Sequence, residues 1–290
     1  MSKNAFSDAN NMSWNPDNPQ ETLDEKNYYY AGFFAAEMSC SVIKAANRHP
    51  VGHYYFAIDF TVSNSDKNLL ETVNKVVMQS EGVISPIKGA FNLSARGKKR
   101  VQMVMDFLGR YPIIIGDLAK NRIALLREAL AYLQAHRGLS KHQVKTQTMD
   151  AIRTKLRMLK ERGTVSKLYR LLPVSNNAIG FFLAGVVDGE GSFGFKKSGN
   201  RLQPFFAVAM KDRKIIQLLQ EFIRYGKVRH RKDGMYHYEI NHPKVLQNIC
   251  SLFLTQFALK HVRQRQRMEH LKRILNDYSR NSPLKRDDIV

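Results

Sequence analysis

The sequence predicts an α+β protein: two pseudo-symmetric αββαββα repeats, each with a curved antiparallel sheet, joined by a basic linker. Three observations lead there. Stretches of period-two alternation are interleaved with stretches of helical spacing, so strands and helices take turns along the chain. Two apolar segments rich in small residues, starting near Tyr28 and Ile179, carry acids at matching places, Glu37 and Glu190, 153 positions apart (190 − 37). The same succession of elements accompanies each, which marks an internal repeat.

The first copy is expected over 28–136 and the second over 179–278. YYYAGFFAAEMSCSVIK (28–44) is apolar or small on nearly every face and reads as a buried helix. HYYFAIDFTVS (53–63) alternates, with Tyr54, Phe56, Ile58, Phe60 and Val62 toward a core and Asp59, Thr61 and Ser63 on the free face. Helical spacing returns over 68–80, and 82–95 reads as a hairpin turning at Lys88–Gly89. Helices follow over 98–112, ended by Gly109 and Pro112, and over 122–136. In the second copy, 179–191 is again a short apolar helix, with strands over 192–197 and 204–210 and a helix over 213–225. A hairpin over 226–240 turns at Asp233–Gly234, and helices over 243–256 and 261–276 close the repeat.

Residues 1–27 are polar, Asn-rich and net acidic, and read as a flexible arm. They have neither the apolar core of a secretory signal nor the arginines of a transit peptide. Residues 279–290 read as a tail. The linker, 137–178, is strongly basic: residues 136–170 hold ten Lys/Arg against Asp150 and Glu161, with Ile152, Leu156 and Leu159 at helical spacing. It is either a solvated helix joining two domains or a clamp on phosphates, with Lys155 and Arg157 as contacts.

Charge narrows the function. The 290 residues carry 46 Lys+Arg and 25 Asp+Glu, a formal net charge of +21, which calls for a polyanionic partner, nucleic acid above all. A hydrophobic share of 43% suits a folded globular chain. No uninterrupted apolar stretch approaches the ~20 residues of a membrane-spanning helix, so no membrane partner is expected. Cys40 and Cys250 are too few for a disulfide framework or a cysteine zinc site. The nine histidines show no metal-ligand spacing, and no glycine-rich nucleotide loop is present.

The chemistry gathers at the two acidic segments. Gly32 and Ala36, and likewise Gly185 and Gly189, are four residues apart, so each pair opens a groove along one side of a helix. The two helices are expected to cross there, at a pseudo-twofold axis. Glu37 and Glu190 would then lie at neighbouring C-terminal helix ends, where the helix dipoles and their own repulsion disfavour two anions. Bound divalent cations relieve both problems, and acids around shared metals suit phosphodiester hydrolysis.

Leu183 to Gly191, LAGVVDGEG, followed by Ser192 and Phe193, resembles the LAGLIDADG motif of homing endonucleases and intron maturases. Tyr30 to Met38, YAGFFAAEM, resembles a degenerate first copy, with Ala35 in place of an acid and Met38 in place of the closing glycine. The resemblance runs from about Tyr28 to the 270s, through Tyr111-Pro112-Ile113 and Phe257-Ala258-Leu259, and the linker is similar to those of single-chain, two-repeat members. It implies that the motif helices form the domain interface and that Glu37 and Glu190 are catalytic and bind magnesium. It also implies that two four-stranded sheets form a saddle along a DNA major groove. Asp59, Thr61 and Ser63 of the first repeat and Lys227, Arg229 and Arg231 of the second would face nucleic acid on that saddle. Lys260 and Arg263 are the candidates for the supporting basic residue of the second repeat; in the first, Lys120 is the first lysine after Ile113. Two functions follow from the resemblance. One is magnesium-dependent double-strand cleavage of DNA at a long target. The other is binding of structured RNA, as a splicing factor or a component of an organellar ribonucleoprotein. Either would be carried out by a monomer with an internal pseudo-twofold, in a mitochondrion or plastid.

Overall fold

A computed structural model describes residues 24–46, 54–136, 142–162, 171–198 and 201–277. The expected tail, most of the expected arm and both flanks of the linker helix lie outside the described residues.

The chain order is α1 (Tyr28–Glu37), β1 (Met38–Ala46), β2 (Tyr54–Asn64), α2 (Lys67–Met78), β3 (Val83–Ile87), β4 (Ala90–Arg96), α3 (Lys98–Arg110) and α4 (Asp117–Ala135). The linker helix α5 (His142–Arg162) follows. The second repeat is α6 (Asn176–Glu190), β5 (Gly191–Ser198), β6 (Arg201–Met210), α7 (Arg213–Ile223), β7 (Lys227–His230), β8 (Tyr236–Ile240), α8 (Pro243–Ser251), a π-helical turn over Leu252–Gln256, and α9 (Val262–Asp277). The sheets are both antiparallel and four-stranded, ordered β1-β2-β4-β3 and β5-β6-β8-β7, so one topology occurs twice. This is the α+β architecture of paired repeats that the sequence predicts.

Each sheet buries one face. Phe56, Ile58, Phe60 and Val62 of β2 and Leu93 and Ala95 of β4 pack into the first core, and Phe206 and Val208 of β6 with Tyr238 and Ile240 of β8 pack into the second. Helices cover these faces with apolar stripes: Leu69, Leu70, Val73 and Val77 of α2, and Ile215, Ile216, Leu219 and Ile223 of α7. Both helices end alike, on a left-handed residue that is not glycine, Gln79 (φ 50) and Arg224 (φ 56). On the opposite face of the first sheet, Thr61 and Ser63 of β2 are half-buried.

One element departs from the expectation. The segment 28–44 is not a single helix: α1 stops at Glu37, and Met38–Ala46 is an edge strand paired with β2 from Met38↔Val62 to Ala46↔Tyr54. Met38, Cys40 and Val42 are buried while Ser39 is exposed, so the period of two was present under the apolar composition. The linker also holds more structure than a tether. Met149, Ile152 and Leu156 of α5 are buried, and α5 packs on α4 and β1 as part of the first domain; residues 176–178 already belong to α6.

The two domains are joined by backbone as well as side chains. Helices α1 and α6 make the most extensive contact between any two helices. A Cβ on Gly32 would overlap the carbonyl oxygen of Phe182, and one on Gly185 would overlap that of Tyr29. The contacts are reciprocal, as a twofold requires. A second reciprocal pair locks the outer helices. Asp66 caps its own α2 by accepting from Leu69 N (3.1 Å) and, with its other oxygen, accepts from Val262 N at the start of α9 (2.7 Å). Asp212 caps α7 through Lys214 N (3.2 Å) and accepts from Leu118 N at the start of α4 (3.0 Å). Each domain thus terminates a helix of the other.

Two measurements of unfolding check this interface. Gly185→Ala places a methyl group against backbone that cannot yield as a side chain would, and should destabilise by about 3 kcal/mol, the upper end for overpacking. Asp212→Ala removes two caps at once and should lower stability by about 1–2 kcal/mol, while Asp233→Ala in the exposed β7–β8 turn should change it by under about 0.5 kcal/mol.

Candidate metal and nucleic-acid site

The site is built by the end of the crossing. Because Gly32 and Gly185 let the helices touch, the acid that closes each helix comes out on the same side, where strands β1 and β5 begin. Glu37 lies against Gly189, the residue before Glu190: a Cβ on Gly189 would meet Ala36 Cβ at 2.6 Å, Glu37 Cγ at 3.1 Å and Glu37 Oε1 at 3.5 Å. The four small residues read from the sequence, Gly32, Ala36, Gly185 and Gly189, all lie in this crossing.

Both carboxyl groups are partly buried, with carboxylate chemistry to match. Burial, then the charge of Glu190, raises Glu37 to about 7, and an Nδ2–H···Oε1 bond from Asn64 (3.5 Å) opposes the shift. Burial raises Glu190 to about 7 as well. A site that disfavours two negative charges is one that a divalent cation would complete. No cluster of three or more acidic, histidine or cysteine side chains that could hold a metal occurs among the described residues. Two carboxylates fit an ion such as magnesium, which keeps several waters and takes further ligands from substrate phosphates.

Asp188, one position inside the helix end, does something else. It is buried, and its Oδ2 accepts from Tyr29 Oη (2.6 Å), Lys260 N (2.6 Å) and His261 N (3.1 Å), tying α6 to α1 and to the entry of α9. Burial outweighs these donors and leaves Asp188 raised to about 6. The Lys260 ammonium bonds Tyr30 Oη (2.9 Å) and sits over the rings of Tyr29 and Tyr30. Burial lowers it to about 8. Tyr30 is seven residues, about 10 Å of helix, from Glu37. In this structure the Lys260 ammonium therefore meets the tyrosines of α1 at the helix crossing. Arg263 is exposed in the first turn of α9, and Lys120 donates to Ile114 O (2.8 Å).

The free sheet faces carry the other candidates. On the first, Thr61 and Ser63 share a surface with Ser39, Asn92 and Ser94; Thr61 reaches Ser39 O (3.5 Å) and Ser63 donates to Asn92 Oδ1 (2.9 Å). Asp59 lies on the same face but is buried at 4% exposure, so the sequence expectation of a nucleic-acid contact there needs correcting. Its carboxylate accepts from Ser94 (2.7 Å) and Arg96 (3.0 Å) and holds that arginine in place. On the second sheet, Lys227 lies opposite Glu239 and Arg229 opposite His237, both exposed on the open face. Arg231, at the end of β7, pairs with Asp233 (2.8 Å). Lys196 of β5 pairs with Glu239. Lys155 and Arg157 are exposed on α5. Sequence reasoning missed Asp66 and Asp212. Each was legible as an N-cap before a helical run, but not as a cap that reaches into the other domain.

The pair's protonation has a measurable consequence. A carboxyl group raised from 4.5 to about 7 on folding favours the folded state fully below pH 4.5. That contribution is lost as pH rises through 7. Metal-free protein should therefore lose stability between pH 4.5 and 7. Glu190→Gln should raise metal-free stability at pH 8 by about 1–2 kcal/mol and leave it unchanged at pH 4, read by thermal unfolding.

Residues 183–266 match the family model described as LAGLIDADG endonuclease. Solved structures align along nearly the whole chain. The LAGLIDADG homing endonuclease I-GzeII in complex with its DNA target aligns with a TM-score of 0.73 at 17% identity, over 90% of this chain and 94% of that one. I-SmaMI bound to uncleaved DNA target in the presence of calcium ions gives 0.71 at 18% identity, over 86% and 90%. I-LtrWI bound to target DNA gives 0.70 at 18%, over 88% and 90%. No curated protein sequence matches the chain. Residues 183–266 are thus similar to the LAGLIDADG endonuclease family, and the chain as a whole has the fold of the two-domain LAGLIDADG homing endonucleases.

Proposed function

We propose that this chain binds double-stranded DNA as a monomer along its two open sheet faces and cleaves both strands at the Glu37–Glu190 centre with a divalent cation, magnesium by the ligand chemistry. One observation carries the reading: two carboxyl groups, one from each half of a chain of charge +21, are held side by side at a partly buried helix crossing. The bound cation would activate water and neutralise the leaving oxygen. Glu37 and Glu190 hold it in their ionised form, and Asn64 orients Glu37. Lys227, Arg229 and Arg231 of the second sheet contribute phosphate contacts and guanine readout, and Thr61 and Ser63 of the first contribute neutral hydrogen bonds. The organellar setting implied by the resemblance belongs to this proposal.

A second reading is favoured by one feature. The Lys260 ammonium is bound to Tyr30, and the first repeat has Lys120 on a backbone carbonyl. A scaffold whose basic groups are tied down in this way could serve structured RNA, as a maturase or a ribonucleoprotein component, without efficient cleavage.

Incubation with a randomised duplex library and magnesium separates the two. Cleavage that falls by about a thousand-fold or more in Glu190→Gln, with duplex binding retained, is the expected result. Absence of cleavage together with tight RNA binding unaffected by Glu190→Gln would establish the second reading instead.

A further inference from the structure

The strand registers allow the two sheets to be matched position for position. Ser39 and Ser192 each stand two residues after the acid that ends a motif helix. From Ser39 a row of residues runs across the first sheet through Thr61 and Ser94 to Val83. From Ser192 the matching row runs through Ala207 and Glu239 to Lys227. Residues directly opposite in antiparallel strands share a face, so Val83 and Lys227 end the same row on the outer strands. The next positions on that face are Ser85, opposite Asn92, and Arg229, opposite His237. Two residues on, Ile87 stands opposite Ala90, where the second repeat has Arg231. Val83, Ser85 and Ile87 are therefore the counterparts of Lys227, Arg229 and Arg231. One outer strand is cationic; the other carries two apolar groups and a hydroxyl.

Val83 and Ile87 are 49% and 47% exposed, on the face of the sheet away from the core residues Leu93 and Ala95. Single exposed apolar residues mean little by themselves. Their place, at the positions that hold cations in the other repeat, is what points to a shared partner. Arg96, the cation on this face among the described residues, is held by Asp59 (3.0 Å). Pro86 lies between the two apolar residues and removes a backbone donor from the outer strand. That opposes pairing with another sheet edge and leaves side-chain contact.

We infer that Val83 and Ile87 determine specificity by packing on the C5-methyl groups of thymines in the half of the target that lies along the first domain. The assignment rests on the duplex-binding reading above. Thymine is the base that shows an apolar group in the major groove, and covering it takes apolar surface of both partners out of water. The outer strand of the second domain, with Lys227 and Arg229, suits guanine edges and phosphates instead. Uracil lacks the methyl group, and the deep, narrow major groove of an RNA helix excludes side chains, so the same contact separates DNA from RNA.

The test selects duplexes bound by the full chain from a randomised library, with calcium in place of magnesium. The enriched target is then measured by fluorescence anisotropy with the thymines of one half or the other replaced by uracil. Each methyl contact removed should weaken wild-type binding by about 4-fold, and in one half of the target only. Val83→Ser/Ile87→Ser, at two exposed positions, should keep the wild-type unfolding midpoint and bind the thymine and uracil targets alike. Lys227→Gln/Arg229→Gln should weaken binding to both targets and keep the difference between them. Three results overturn the inference and leave the function standing: an enriched target in which neither half prefers thymine, equal wild-type affinity for thymine and uracil in both halves, or a difference that the serine variant retains. A wild-type chain that binds no duplex overturns both.

Discussion

Everything at the centre of this molecule depends on two helix backbones coming close enough to touch. Gly32 rests on the carbonyl of Phe182 and Gly185 on that of Tyr29, and neither position has space for one carbon more. That approach decides where the helix ends emerge, and so where Glu37 and Glu190 meet. A looser crossing would leave two surface acids at ordinary carboxylate values. The tight one gives a pair raised to about 7, in which binding a cation is the simplest relief for the negative charge.

Such an interface must also resist rotation, because a small change in crossing angle would separate the carboxylates. Resistance comes from polar groups around the apolar contact. Asp66 and Asp212 each finish a helix in the opposite domain, and Asp188 gathers Tyr29 and the entry to α9 onto one oxygen. These bonds are directional, and those to Asp188 and Asp212 are buried or half-buried, so they specify one arrangement where hydrophobic packing alone would allow several. The duplication is visible in them: what one half does for the other is returned at the matching position.

The halves are not equal on their open faces. The first sheet offers hydroxyls and amides, with its acid–arginine pair internally satisfied; the second offers Lys227, Arg229 and His237 beside one glutamate. Much of the positive charge lies instead on helices. The helix between the repeats, packed on the first domain, adds Arg153, Lys155 and Arg157 to that domain. An asymmetric distribution of this kind suits a single chain, in which each half is free to diverge, better than a symmetric dimer.

Legibility followed the range of the forces involved. The motif helix 183–191, the hairpin at Lys88–Gly89 and the alternation of β2 are local patterns, and the sequence by itself determined them. It determined as well that two similar halves exist, since the repeat needs only comparison of the chain with itself. Local signals misled where composition masked period: Tyr28 to Lys44 is uniformly apolar or small, yet the helix yields to a strand after Glu37. Only the tertiary structure decided which side chains were available. Asp59 sits on the open face as its spacing requires, but Arg96 and Ser94 from a strand over thirty residues away enclose it. Lys260, near Glu190 in the motif logic, is drawn to Tyr29 and Tyr30 across 230 residues. Partners so distant in sequence are brought together by the crossing itself, and no window along the chain contains them both.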